Sequence, residues 1–157
     1  MAATVRTRLS RPVMGRLRLA SQGLAGPGFA SVPGAVRSMT AMQAQDLQAA
    51  LWAVGQRVPG SRAADVRGAL DRGEIVRSWP MRGTLHLLAP EDLRWVLELT
   101  SGRLIRSLAG RHRELGITAA DVDAAAQAAL QRVAGGVAAS RAELFRAFEE
   151  AGQSTAG

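Results

Sequence analysis

The sequence predicts a mainly α-helical fold with a small β-hairpin, organised as a winged helix-turn-helix. Three observations carry this prediction. Apolar residues recur at helical spacing through most of the 157-residue chain. Residues 75–88 alternate with a period of two on both sides of a Pro/Gly turn. That stretch follows two longer helical segments and a short capped one, the order of a helix-turn-helix with its wing. A first unit, with a basic N-terminal segment and a following long helix, spans residues 1–117. A second begins at 118 and is expected to be incomplete within 118–157.

The elements follow in order. Ser10-Arg11-Pro12 predicts a helix start, and the helix should run to Gln22, before Gly23. Gly26-Pro27-Gly28 is a loop. A second helix should start near Pro33 and carry Val36, Met39 and Met42. Residues 43–46 interrupt it or join it to a third helix, whose core stripe is Leu47, Ala50, Leu51 and Val54. Ser61 is expected to cap a short helix bearing Val66 and Leu70 and ending at Gly73. In the hairpin, Ile75, Arg77 and Trp79 alternate with Val76 and Ser78. Pro80-Met81-Arg82-Gly83 supplies the turn, and Thr84, His86 and Leu88 alternate with Leu85 and Leu87. Pro90-Glu91-Asp92 opens a long helix with acids at its positive end. Its stripe is Leu93, Val96, Leu97, Leu104 and Leu108. Another helix starts at Thr118 with Val122, Ala126, Leu130 and Val133 and breaks at Gly135-Gly136. Ser140-Arg-Ala-Glu143 is a capping box for a last helix carrying Leu144, Phe145 and Phe148. Residues 153–157 are small and polar. Ser61-Arg-Ala recurs as Ser140-Arg-Ala, an echo that shared capping chemistry also explains.

Composition narrows the function. Apolar residues are 47% and charged residues 21%, a globular balance. The net charge is +7 and every basic residue is arginine. A genome rich in G and C explains a bias toward arginine, but not the excess of base over acid. Six arginines precede the first acid, Asp46. Such a field attracts a polyanion, nucleic acid first. The sequence has no cysteine and two histidines, His86 and His112. Disulfides, thiolate zinc sites, a cysteine nucleophile and a multi-histidine metal cluster are therefore excluded. No G-x-S-x-G, Walker or G-x-G-x-x-G pattern occurs. No apolar run is long enough for a membrane span. Expected are no metal, no cofactor, no membrane partner, a monomer and a cytoplasmic location. The Arg-rich start imitates a transit peptide, but Leu17, Leu19 and Leu24 follow without a cleavage-like site.

Two stretches carry a more specific signal. One is Met42-Gln43-Ala44-Gln45-Asp46, followed by an Ala/Leu helix. The other is Val76-Arg77-Ser78-Trp79-Pro80-Met81-Arg82-Gly83-Thr84-Leu85-His86-Leu87. Together they resemble the AlkZ/YcaQ-like winged-helix DNA glycosylases, over most of residues 10–152. The resemblance implies tandem winged-helix units, damaged duplex DNA as partner, and hydrolysis of the N-glycosidic bond of alkylated or crosslinked purines without a cofactor. It implies a catalytic pair of Gln-x-Gln or Gln-x-Asp, here Gln43 and Gln45. Family members are more than twice this length, so further C-terminal units are expected.

The chemistry suits the residues. An N7-alkylated guanine is already cationic and leaves readily. The enzyme need only place water and stabilise charge on the sugar. A glutamine does this through its amide oxygen while its NH2 holds a second partner. Glutamines at i and i+2 share a side only on extended or irregular backbone, so residues 43–45 should leave the helix. Otherwise the two are ordinary polar residues at a helix junction. Asp46 reads as a cap for residues 47–56 rather than a base. Arg77, Arg82, Thr84 and His86 are the candidate DNA-binding residues, set against a solvated strand face. Trp52 and Trp79 read as core. Arg103, Arg106, Arg111 and Arg113 form a basic helix end that suits either phosphate or the helix dipole. A non-catalytic DNA-binding module or regulator is the alternative, and a remnant that binds nothing is a third. The segment 62–72, in the recognition-helix position, offers little base-reading chemistry in Arg62, Arg67 and Asp71.

Overall fold

The computed structural model of the protein describes residues 8–154; Met1–Thr7 of the basic segment and Thr155–Gly157 of the polar C-terminal stretch lie outside the described residues. Those described form two compact units, divided between Leu104 and Ile105. The architecture is mainly helical with one small antiparallel sheet, as the sequence predicts.

In the first unit, α1 (Arg11–Ser21) has proline in its first turn, and none of its residues is buried. The Gly28 loop then approaches α3 closely. A Cβ on Gly28, whose φ is +71°, would lie 2.7 Å from the Arg57 carbonyl oxygen. Only glycine fits there. The next helix, α2 (Val32–Met39), is capped by Ser31, whose Oγ accepts from Gly34 N at 3.2 Å.

Met42 does not belong to α2, contrary to the expectation. Thr40 adopts φ 61° and ψ −58°, and Ala41 N donates to Met39 O at 2.7 Å. This is a γ-turn with positive φ, a strained geometry for a β-branched residue. It ends the helix and starts strand β1 (Met42–Gln43). Asp46 caps α3 (Leu47–Gly55), its Oδ1 accepting from Ala49 N at 3.1 Å.

For α4 (Ala63–Asp71) the cap is Arg62, not Ser61. Ser61 N is already committed to Val58 O at 3.1 Å, closing the preceding turn. Asp65 Oδ2 accepts from Arg62 N at 2.6 Å instead.

Strands β2 (Val76–Met81) and β3 (Thr84–Leu88) form the expected hairpin. Its turn is tighter than anticipated, with Arg82 (φ 53°) and Gly83 (φ 68°) alone between the strands. Positive φ at both positions matches the right-handed strand twist. Pro80 stays within β2 because a bulge lies between Ser78 and Met81, where no ladder donor is required. Its carbonyl instead accepts from Thr100 Oγ1 on α5 (Pro90–Glu114). The sheet order is β1-β3-β2, with Met42 opposite Leu87 and Gln43 opposite His86. The succession α2-β1-α3-α4-β2-β3 with this sheet order is a winged-helix-like arrangement.

The core lies between α2, α3, α4 and the sheet. Val36, Leu51, Val54, Val66, Ile75 and Leu87 are its centre, each at most 1% exposed. Burying a side chain of this size contributes roughly 1.5–3 kcal/mol. Trp52 and Trp79 are not core residues, being 68% and 58% exposed. Ala50, Leu51 and Val54 form the buried stripe of α3, which turns Trp52 outward. At the bulge Pro80 faces inward and Trp79 faces solvent.

The second unit contains the end of α5, α6 (Ala119–Arg132), a 3-10 turn at Ala134–Gly136 and α7 (Arg141–Glu150). Thr118 and Ser140 head reciprocal capping boxes with Asp121 and Glu143. Ala124, Ala125, Ala128 and Ala129 of α6 and Leu144, Phe145 and Phe148 of α7 are only partly covered, and neither helix buries a residue completely. Leu108, expected in the α5 stripe, is exposed.

Candidate nucleic-acid site

Residues 42–45 alternate in burial. Met42 and Ala44 are buried, whereas Gln43 and Gln45 are exposed. Residues 43–45 leave the helix, as the i, i+2 spacing leads one to expect, and both glutamines are open to solvent. Gln43 sits in β1 directly opposite His86 of β3. Cross-strand partners share a face, so Gln43 and His86 project from the same side of the sheet. Among the described residues, no hydrogen bond engages the Gln43 amide.

Gln45 is held differently. The ladder continues past β1 with Ala44 N donating to Leu85 O at 2.7 Å. The return bond from Leu85 N goes to Gln45 Oε1, at 3.0 Å. Since a backbone N–H only donates, the amide oxygen must face Leu85 and the NH2 group is left to face outward. Gln45 thus extends the sheet edge by one side-chain hydrogen bond.

The four residues assigned to DNA contact occupy three different settings. Arg82 is exposed at the hairpin tip, and Thr84 stands beside it, half-buried, with Oγ1 donating to Met81 O at 3.4 Å. Arg77 is turned inward instead of toward solvent. Its Nε donates to Ala44 O at 2.9 Å and its Nη2 to Gln45 O at 3.1 Å. His86 is 2% exposed, and its Nδ1 donates to Thr84 O at 2.9 Å. The carbonyl can only accept, so that bond places a proton on Nδ1.

The structure therefore sets Gln43 opposite His86, ties Arg77 to the backbone of Ala44 and Gln45, and leaves Arg82 apart at the turn. The Leu85 N–H was not among the sequence candidates, because a backbone donor leaves no signature in residue type. The strained Thr40 turn at the entry to β1 was equally invisible. Among the described residues, no group of three or more His, Asp or Glu side chains is placed to hold a metal. No helix there is long and apolar enough to cross a membrane.

Fold and site together define a winged-helix-like protein with an exposed glutamine pair at the wing's sheet edge. A family model described as DNA glycosylase AlkZ-like matches residues 36–157, more than three-quarters of the chain. The chain belongs to this AlkZ-like DNA glycosylase family. No curated protein and no solved structure shows a significant match. The matched region takes in both the glutamine pair and the hairpin, and begins after α1.

Proposed function

We propose that this chain carries the catalytic glutamines of a monofunctional DNA glycosylase acting on alkylated or crosslinked purines in duplex DNA. The observation that carries the reading is the pair Gln43 and Gln45, both exposed where β1 leads into α3, with Gln45 fixed on Leu85 N. The two amides then have separate roles. Gln43 Oε1, which has no donor among the described residues, accepts from the attacking water and faces the positive charge that develops on the sugar. Gln45, whose oxygen is occupied, presents its NH2 to the lesion or to a phosphate. A cationic N7-alkylated base departs without strong acid assistance, so a neutral amide pair suffices. The 157 residues contain no lysine to supply a Schiff-base amine. Water therefore cleaves the N-glycosidic bond and leaves an intact abasic strand. Arg82 and Thr84 at the hairpin meet the DNA backbone, while Arg77 and His86 support the edge from which the glutamines project.

The test is incubation with a duplex carrying N7-methylguanine, analysed with and without alkaline cleavage. We expect base release without strand breaks, and a fall of roughly a hundredfold in Gln43→Ala, the scale of one preorganised group. A borohydride-trapped covalent adduct, or breaks without alkali, would refute hydrolysis by water. Arg62 at the cap of α4 and Arg67 within it are exposed and free to meet phosphate, which keeps open a second reading, a DNA-binding module without catalysis. Duplex binding with no base release, and no effect of Gln43→Ala, would select it.

A further inference from the structure

We infer that Arg77 is a positioning residue for Gln45: it withdraws the Ala44 carbonyl from the sheet ladder and so frees the Leu85 N–H to orient the Gln45 amide. The inference rests on the glycosylase reading for its kinetic consequence, but its structural content does not.

The argument begins with hydrogen-bond accounting. Beyond Gln43–His86, the next antiparallel pair is Ala44 with Leu85. A regular ladder either exchanges two bonds across such a pair or none. Here one is made, from Ala44 N to Leu85 O at 2.7 Å. The other is replaced. Ala44 O accepts from Arg77 Nε at 2.9 Å, and Leu85 N donates to Gln45 Oε1 at 3.0 Å. Two side chains have thus taken the places of one backbone bond. Ala44 is 1% exposed, so its carbonyl has little recourse to water once it leaves the ladder. The guanidinium supplies the missing donor and also reaches Gln45 O, at 3.1 Å.

Register makes the reach informative. Arg77 lies opposite Leu87 on β3, and Leu87 lies opposite Met42 on β1. Arg77 therefore belongs to the strand on the far side of β3 from the glutamine segment, and its side chain spans β3 to arrive there. The planar fork of arginine offers Nε and Nη2 together to two consecutive carbonyls, which a lysine ammonium does not. Both carbonyls lie in the gap between the β1 ladder and the first turn of α3, where no backbone donor among the described residues serves them.

The experiment uses the whole 157-residue chain with Arg77→Met and Arg77→Lys. The methionine keeps most of the stem and removes every donor. The lysine returns the charge with only a single-point donor. The first readout is NMR, with no substrate present. In the parent chain, the Gln45 side-chain NH2 resonances should be dispersed and the Leu85 amide slow to exchange. In Arg77→Met, the Gln45 pair should collapse toward free-glutamine positions, and Leu85 N–H should shift as it returns to Ala44 O. Arg77→Lys should fall between the two. The second readout is base release, expected to drop about ten- to hundredfold in Arg77→Met through misplacement of one group, with DNA affinity held within twofold. If Arg77→Met does not fold, the same comparison is made on Arg77→Lys.

Unchanged Gln45 and Leu85 resonances in the folded variant would overturn the inference. So would a loss of affinity with a shallower salt dependence, which would make Arg77 a phosphate contact. If the parent chain binds duplex but releases no base, the glycosylase reading has failed, and the NMR comparison alone decides the role of Arg77.

Discussion

Arg82 occupies a backbone position where arginine is costly. Its φ of 53° at the hairpin turn is a conformation that asparagine and glycine adopt more readily. The side chain is exposed, and no packing compensates for the strain. An unfavourable residue at an exposed tip is the pattern expected where contact with a partner outweighs stability. We expect Arg82→Asn to stabilise the fold by about 0.5–1 kcal/mol, raising Tm by a few degrees, while weakening duplex binding. Thermal denaturation and a binding titration on the same variant check both halves. Loss of stability with unchanged binding would show that the arginine serves the turn and not the DNA. Thr40 presents a related case at the entry to β1, where the positive-φ turn aims the backbone of the glutamine segment.

At the scale of elements, the helices are defined chiefly by their ends. In α7, Glu143 Oε2 accepts from Ser140 N at 2.8 Å and from Ser140 Oγ at 2.7 Å. Arg132 at the end of α6 donates to the other carboxylate oxygen. The Ser140 bonds, backbone first, and then Arg132 lower the Glu143 pKa from 4.5 to about 2. The carboxylate is thus favoured by the folded state. Its stabilisation of α7 is complete above the ordinary carboxylate range and is lost as pH falls toward about 2. We expect Glu143 to titrate near that value by NMR, and Glu143→Gln to make helix content insensitive to acid over the same interval. A Glu143 midpoint at the ordinary glutamate value would contradict the capping geometry. The wing obeys the same principle of local termination. Its bulge at Pro80 and its two-residue turn limit the hairpin to a short, well-registered pair of strands.

Across the whole molecule, charge is the dominant property. The chain carries 20 arginines against 13 acids. Among the described residues, carboxylates pair with Arg37, Arg72, Arg94, Arg111 and Arg132. Arg11, Arg16, Arg18, Arg62, Arg67 and Arg82 are exposed and outside those pairs. Arginines that meet phosphates release condensed counterions, so affinity should fall linearly in log–log plots against salt, with a slope of roughly 0.9 per phosphate engaged. We expect a steep slope and little sequence preference when binding is measured by anisotropy between low and high salt. Affinity independent of salt would argue that the positive field plays no part in recognition.

The sequence by itself determined the helix order, the hairpin and the departure of residues 43–45 from the helix, because these rest on local rules. Capping residues mark Asp46 and Ser140. Alternation marks residues 75–88. Spacing of i and i+2 puts two side chains on one side wherever the backbone is extended. Tertiary structure decided what touches what. Alternation separates the two faces of a strand without saying which is covered, and so it misplaced Trp79 and could not foresee the burial of His86. Met42 entered the sheet instead of extending α2 because a strained turn at Thr40, which composition does not announce, came first. The bonds from Arg77 to Ala44 and Gln45 join residues more than 30 positions apart. Such a contact exists only after β3 has brought the two outer strands to its sides, since residue type records the capacity to donate and folding chooses the acceptor.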